Sequence, residues 1–149
     1  QRLDRNCAFL FKEAERGDII EPNHGYLAPG DKHTLLAPRG MGKPGALIRL
    51  SDVPADTLHK PSVDVTMMSV LELYGGPNII AVLLTGMGAD GAEAMAAIRR
   101  AGGRTIAESE ETCVVFGMPR EAIVRDGAEF VLPSYEIGEK IVELVQENQ

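Results

Sequence analysis

The hydrophobic positions after residue 61 are spaced first as in a helix and then as in a strand. Ser62 is a good helix N-cap, and an i, i+4, i+7, i+8 series of core-facing positions follows it: Val63, Met67, Val70, Leu71 and Tyr74. The helix is predicted to end at residues 75–77, where Gly-Gly-Pro interrupts the series. Residues 79–85 are almost wholly apolar, which predicts a strand that is covered on both faces.

The same alternation continues to the end of the chain. A helix is predicted after Gly91, with an inward face made of Ala94, Met95 and Ile98. Residues 104–107 and 130–132 are predicted strands, and residues 109–126 are expected to be helical in two pieces. The last helix is expected to place four apolar side chains inward: Ile137, Ile141, Leu144 and Val145.

The first third of the chain is predicted to contain short strands and turns. The strand candidates are residues 8–11, 26–28, 34–37 and 47–50, and the third is expected to run antiparallel to the second. Residues 38–46 are rich in glycine and proline and predict an exposed loop. Strands that alternate with helices predict an α/β domain. We expect a doubly wound, mostly parallel sheet with an antiparallel hairpin element, in three α/β/α layers.

Length and charge narrow the function classes. A chain of 149 residues suffices for a single domain with its own core. A net charge of −7 disfavours nucleic acid and anionic membrane surfaces as partners, because both require a basic face. No apolar run is long enough to predict membrane insertion. The two cysteines are far apart in sequence, which is typical of reduced thiols and predicts a cytoplasmic location.

The turn after the apolar strand at 79–85 carries the most informative residue. Gly86, Gly88 and Gly91 satisfy the dinucleotide-binding pattern G-x-G-x-x-G, and Glu108 follows at about the distance of a ribose-binding acid. Asp90 argues against that interpretation, because a carboxylate would compete with a pyrophosphate for the positive helix terminus. Asp90 could instead cap the following helix, or orient a histidine as the acid of a Ser-His-Asp triad. Spacing alone leaves the three interpretations open.

No nucleophile, metal site or cofactor site accompanies this acid in the sequence. The histidines are His24, His33 and His59, and none has the spacing of a metal-binding pair. His33, at a turn before a strand, is the best candidate to face a cleft, although a surface histidine is the more common case. No G-x-S-x-G turn is present, and residues 37–44 lack both the first glycine and the hydroxyl residue of a phosphate-binding loop.

Four segments nevertheless resemble one known family. They are YLAPGDKH (26–33), HKPSVDV (59–65), LLTGMGADGAEAM (83–95) and TCVVFGMPREAI (112–123). In order and spacing they resemble the catalytic domain of the chemotaxis protein-glutamate methylesterase (CheB) family, over nearly the whole chain. His59-Lys60 stands where His-Arg is expected, which is a minor departure.

The resemblance implies a serine hydrolase without a cofactor. Such an enzyme removes methyl groups from glutamate methyl esters on chemoreceptor helices and often deamidates glutamines. The triad acid of the family matches Asp90, and Met87 would contribute a backbone N–H to the oxyanion hole. The turn at 31–33, which includes His33, is expected near the substrate cleft. Five further residues are expected there: Gly86 and Gly88 in the glycine turn, and Phe116, Met118 and Pro119 within 116–119.

The main departure is the missing serine and histidine. The family carries both before the region that this chain matches, and residues 1–7 resemble the end of the helix that follows that histidine. The chain is therefore expected to be an N-terminally truncated catalytic domain, inactive alone, whose sheet lacks its first strands. A receiver domain often precedes this domain in the family. The alternatives are a non-catalytic relative that binds receptor or partner surfaces, and the dinucleotide-binding domain described above.

Overall fold

The computed structural model describes residues 5–149, and the part before residue 52 forms two small sheets. These contain β1 (Leu10–Glu13), β2 (His24–Leu27), β3 (His33–Pro38) and β4 (Ala46–Ser51). β1 and β2 are parallel, whereas β3 and β4 form an antiparallel hairpin. The prediction that residues 34–37 pair with 26–28 is therefore wrong. A glycine-rich, largely exposed loop connects β3 directly to β4. β4 then pairs with β3 along its whole length.

The rest of the described chain alternates helix and strand as predicted. The elements are α1 (Val63–Tyr74), β5 (Ile80–Leu83), α2 (Ala92–Arg100), β6 (Arg104–Glu108), α3 (Met118–Val124), β7 (Phe130–Leu132) and α4 (Ser134–Glu147). β5, β6 and β7 form a parallel sheet in that order. The two-piece helix expected over 109–126 is wrong in its first part, since residues 109–117 form turns and bends before α3. A helix end was predicted at residues 1–7. Its first four residues lie outside the described part of the chain, and residues 5–7 form a turn and a bend.

Helices cover both faces of this sheet, which gives the expected three α/β/α layers. On one face, α2 packs on β5 through a core that includes Ala81, Leu83, Met95 and Ile98, and α1 and α3 extend that core. On the other face, α4 packs on β6 through Ile106, Ile137 and Leu144. Two predicted inward positions are wrong: Tyr74 and Val145 are 38% and 45% exposed, because each lies near the outer end of its helix. Within residues 5–149, no helix is long and apolar enough to span a bilayer.

Burial separates two residues that the hydrophobic pattern treats alike. Ile98→Ala should destabilise the fold by about 2–5 kcal/mol, because Ile98 is fully buried and its removal leaves a cavity. Val145→Ala should cost less than about 0.5 kcal/mol, because that side chain already contacts water. Urea unfolding at low protein concentration measures both. Equal losses for the two variants would contradict the described core.

The outer edge of β5 has no strand partner within residues 5–149. This edge is apolar, and the Ile80 and Val82 side chains next to it are only partly covered. An unpaired apolar edge pairs readily with another chain. We therefore expect residues 1–149 alone to self-associate or aggregate as their concentration rises.

Size-exclusion chromatography with light scattering measures this association. Leu84→Lys should reduce it, because Leu84 is half-exposed directly after β5 and a lysine there opposes edge pairing. Val142→Lys, on the exposed side of α4, is the matched control and should leave it unchanged. A compact monomer across the whole concentration series would contradict the prediction.

Candidate active site

The site is organised by the turn between β5 and α2. Gly91, the N-cap of α2, has a φ of +93°, and a Cβ there would lie 2.8 Å from Leu83 and 2.9 Å from Val63. Only glycine allows both this backbone conformation and this close packing. Asp90 consequently lies at the carboxyl end of the sheet, where open α/β sheets place their ligand sites.

The Asp90 carboxylate caps helix α1, not the helix that follows it. Oδ2 accepts from the Val63 N–H at 2.8 Å, and Oδ1 accepts from the Asp64 N–H at 2.9 Å. Oδ1 also accepts from the Ser62 hydroxyl at 2.9 Å. The capping interpretation was therefore right about the chemistry and wrong about the helix. The Asp90 carboxylate is thus held by one hydroxyl and two backbone N–H groups from the consecutive residues 62–64.

Helix α2 receives its own carboxylate from α1. Asp64 Oδ1 accepts from the Ala94 N–H at 2.8 Å, and the Gly91 N-cap contributes no side-chain bond. Glu108, the expected ribose-binding acid, is buried and accepts from the Thr85 N–H at 2.7 Å and the Thr112 hydroxyl at 2.8 Å. The N-terminus of α2 and the Glu108 carboxylate are therefore both already hydrogen-bonded to other protein groups. The dinucleotide interpretation therefore loses both of its supports.

The Met87 backbone N–H lies in the same turn as Asp90, three residues earlier in the chain. Within residues 5–149 it has no hydrogen-bond acceptor, and the Met87 side chain is 78% exposed. The turn around it is fixed, because Gly86 donates its N–H to Val115 and accepts at its carbonyl from Gly117 and Met118. A free N–H on a rigid turn is the type of group that stabilises a developing oxyanion.

The residues expected at the cleft separate into three groups. Gly88 lines a cavity of about 330 Å³ together with Asp90, Ser62, His59 and Arg125. Phe116 and Met118 lie on the other side of the turn: Phe116 bridges Gly86, and a Cβ at Gly86 would collide with the Met118 sulfur.

Pro119 and His33 are both fully buried in the fold. The His33 ring is bonded inward: Nδ1 accepts from the Ser62 N–H at 3.2 Å, and Nε2 lies 2.8 Å from the Pro54 carbonyl. His33 therefore lies next to the Asp90 network, to which it is joined through Ser62.

Three residues near Asp90 were missed as site residues by the sequence analysis. His59 and Arg125 line the cavity, and Ser62, predicted only as a helix cap, bonds the carboxylate. The segment HKPSVDV contains His59 and Ser62, so their proximity to the site was signalled by that motif. Arg125 had no such signal. Its guanidinium bonds Glu121 and Glu93, and the Glu121 contact raises the pKa of Arg125 above its ordinary value.

No described group completes a catalytic triad with Asp90. Within residues 5–149, no histidine bonds the Asp90 carboxylate. Burial and the neighbouring Glu108 raise the pKa of the Cys113 thiol, which disfavours the reactive thiolate. The same residues hold no group of three or more side chains that could bind a metal ion.

These features define the class of the chain: a three-layer α/β/α domain with an anchored carboxylate at the carboxyl edge of its parallel sheet. Comparison with known proteins refines the class. The family model described as CheB methylesterase matches residues 1–141. The chain belongs to the CheB methylesterase family.

Named relatives and a solved structure agree. The chain is 50% identical over 99% of its length to the protein-glutamate methylesterase/protein-glutamine glutaminase of Caldanaerobacter subterraneus, of which it covers 40%. It is 43% identical over its full length to the protein of that name from Yersinia pestis, of which it covers 42%. The chain thus spans about two fifths of the length of these relatives.

The crystal structure of the Thermotoga maritima CheB methylesterase catalytic domain superposes with a TM-score of 0.88 and 41% identity. That match covers 96% of this chain and 74% of the other. The sequence-based family and fold predictions are therefore confirmed.

The buried Glu108 links the ends of two strands to the loop that supports Met87. Glu108→Ala should destabilise the fold by about 1–3 kcal/mol, because it leaves the Thr85 N–H without its acceptor. Glu110→Ala, an exposed acid two residues later, should cost less than about 0.5 kcal/mol. Urea unfolding compares them. Equal stability of the two variants would show that Glu108 is not a structural link.

Proposed function

We propose that this chain is the acid-bearing part of a protein-glutamate methylesterase that hydrolyses glutamate methyl esters on chemoreceptors and releases methanol. The single observation that supports this most directly is the Asp90 carboxylate, which three donors immobilise in the same turn as the free Met87 N–H. Family membership and the printed names of the relatives support the same reaction.

In the proposed mechanism a serine attacks the ester carbonyl of the substrate glutamate, and a histidine takes the serine proton. Asp90 would accept a hydrogen bond from that histidine and stabilise its charged form, while the Met87 N–H would donate to the oxyanion. The histidine would then protonate the departing methoxide, and water would hydrolyse the acyl-enzyme to glutamate. Amide hydrolysis of a glutamine side chain would follow the same steps with ammonia as the leaving group. The route uses protein groups alone and needs no cofactor.

The serine and the histidine are proposed to come from the part of the family domain that this chain does not match. Chemoreceptor helices would be the substrate, and a receiver domain would be the regulatory partner. The two free cysteines support a cytoplasmic setting. The alternative is a non-catalytic relative that binds receptor surfaces, which is favoured by the absence of a histidine bonded to Asp90 within residues 5–149.

Methanol release from a methylated receptor fragment tests the proposal. In an enzyme extended to include the family's serine and histidine, Asp90→Ala should lower kcat by about 10⁴-fold, the scale seen when a triad acid is lost. Glu139→Ala, an exposed acid on α4, is the control and should leave kcat unchanged. A drop of less than tenfold for Asp90→Ala would refute the triad role and favour the non-catalytic alternative.

The chain of residues 1–149, tested in the same assay, should release no methanol. Circular dichroism must first show that both forms are folded. Turnover by the short chain that Asp90→Ala abolishes would place an unrecognised nucleophile within residues 1–149, which would overturn the expectation that the matching serine lies elsewhere.

A further inference from the structure

Ser62 lies between the buried His33 and the Asp90 carboxylate, and the proposed mechanism assigns it no role. The residue is 5% exposed, and it makes hydrogen bonds through both its backbone and its side chain. Its hydroxyl donates to Asp90 Oδ1 at 2.9 Å and accepts from the Val65 N–H at 3.3 Å. A carboxylate can only accept, so the direction of this hydroxyl is fixed.

The donors around Asp90 leave one side of the carboxylate open. An ionised carboxylate has about four acceptor positions, two on each oxygen. Oδ1 accepts from the Ser62 hydroxyl and the Asp64 N–H, whereas Oδ2 accepts only from the Val63 N–H. Oδ1 is therefore fully used, and the remaining position is on Oδ2.

Without the Ser62 hydroxyl, both oxygens would have an open position. A base could then bond either oxygen, in two orientations of its ring. Catalytic groups lose rate steeply when their orientation is not unique, since displacements of about 1 Å can cost on the order of 100-fold. The Ser62 hydroxyl thus removes one of the two arrangements.

His33 fixes the serine from the opposite side. Its Nδ1 accepts from the Ser62 N–H, which leaves the ring proton on Nε2, where the Pro54 carbonyl accepts it. The ring is fully buried at the start of β3. The Ser62 backbone is therefore held by His33, while the Ser62 hydroxyl holds Asp90.

We propose that Ser62 is a positioning residue: its hydroxyl occupies Oδ1 of Asp90 and so reserves Oδ2 for the N–H of the catalytic imidazole. The inference rests on the proposed function, in which Asp90 orients that imidazole. It assigns to Ser62 an effect on the turnover rate that a helix cap would not have.

The test uses the full-length enzyme and measures kcat and KM for methanol release. Ser62→Ala should lower kcat by about 10- to 100-fold with KM within about twofold, because orientation affects the chemical step and not substrate binding. Ser62→Thr keeps a hydroxyl and should retain most of the activity. Ser62→Gly removes the hydroxyl with little loss of capping and should reproduce the kcat loss if Ser62→Ala does not fold.

Ser69→Ala is the matched control. Ser69 is buried in the same helix and also makes two hydrogen bonds, from the Leu36 N–H at 3.0 Å and to the Thr66 carbonyl at 2.7 Å. It does not contact Asp90. Its removal should lower the urea midpoint about as much as Ser62→Ala, yet leave kcat unchanged.

The outcomes separate the inference from the function on which it rests. If the hydroxyl-free variants at Ser62 lose no more kcat than Ser69→Ala, while Asp90→Ala in the same assay loses several orders of magnitude, the positioning role is wrong and the triad role stands. If Asp90→Ala itself keeps its kcat, the proposed function has failed. A kcat loss in Ser62→Ala that Ser62→Thr does not recover would also overturn the inference.

Discussion

Two helices exchange carboxylates at their N-termini, and the geometry of the site depends on this exchange. Asp90 precedes α2 but satisfies the first N–H groups of α1, while Asp64, in the first turn of α1, satisfies an N–H of α2. Each acid lies in the positive field of the other helix, where negative charge is favoured. A shift of either helix along its axis would break hydrogen bonds at the N-termini of both α1 and α2. The exchange therefore sets the position of α1 relative to the sheet edge.

Through helix α1, this arrangement connects the turn after β5 to the β3–β4 hairpin, which is distant in sequence. Helix α1 packs on β3 of the N-terminal hairpin, and His33 on that strand bonds Ser62 at the start of α1. Asp90 lies in the turn that follows β5 of the central sheet. The carboxylate is thus located by contacts with both the hairpin and the sheet, so that packing in either region controls the same few atoms. The buried Glu108 serves a similar purpose for the other side of the turn, where it bonds the Thr85 N–H at the end of β5.

Sequence periodicity was sufficient to locate an element that has one apolar face and a clear end. It located α1, α2, α4 and the three central strands, and the resemblance singled out Asp90 and Met87. It failed where tertiary contacts decide. The partner of β3 depends on where the following loop directs the chain. Residues 109–117 are held by side-chain bonds to Thr85 and Glu108. His33 is buried because Ser62 and Pro54 provide hydrogen-bond partners for its ring. No local pattern shows which helix a carboxylate will cap, so the role of Asp90 as the cap of α1 could not be predicted.

The unpaired edge of β5 and the open acceptor position on Asp90 lie at the same end of the sheet. In a parallel sheet the carboxyl ends of neighbouring strands meet at the same edge, and ligand sites form just beyond them. A strand that paired in parallel with β5 would end beside the turn that holds Met87 and Asp90. Residues following that strand would face the open acceptor position of the Asp90 carboxylate and the free Met87 N–H. The same pairing would cover more of the partly buried side chains of Ile80 and Val82. Under the proposed function, one added strand would therefore both cover the apolar edge of β5 and bring a nucleophile to the site.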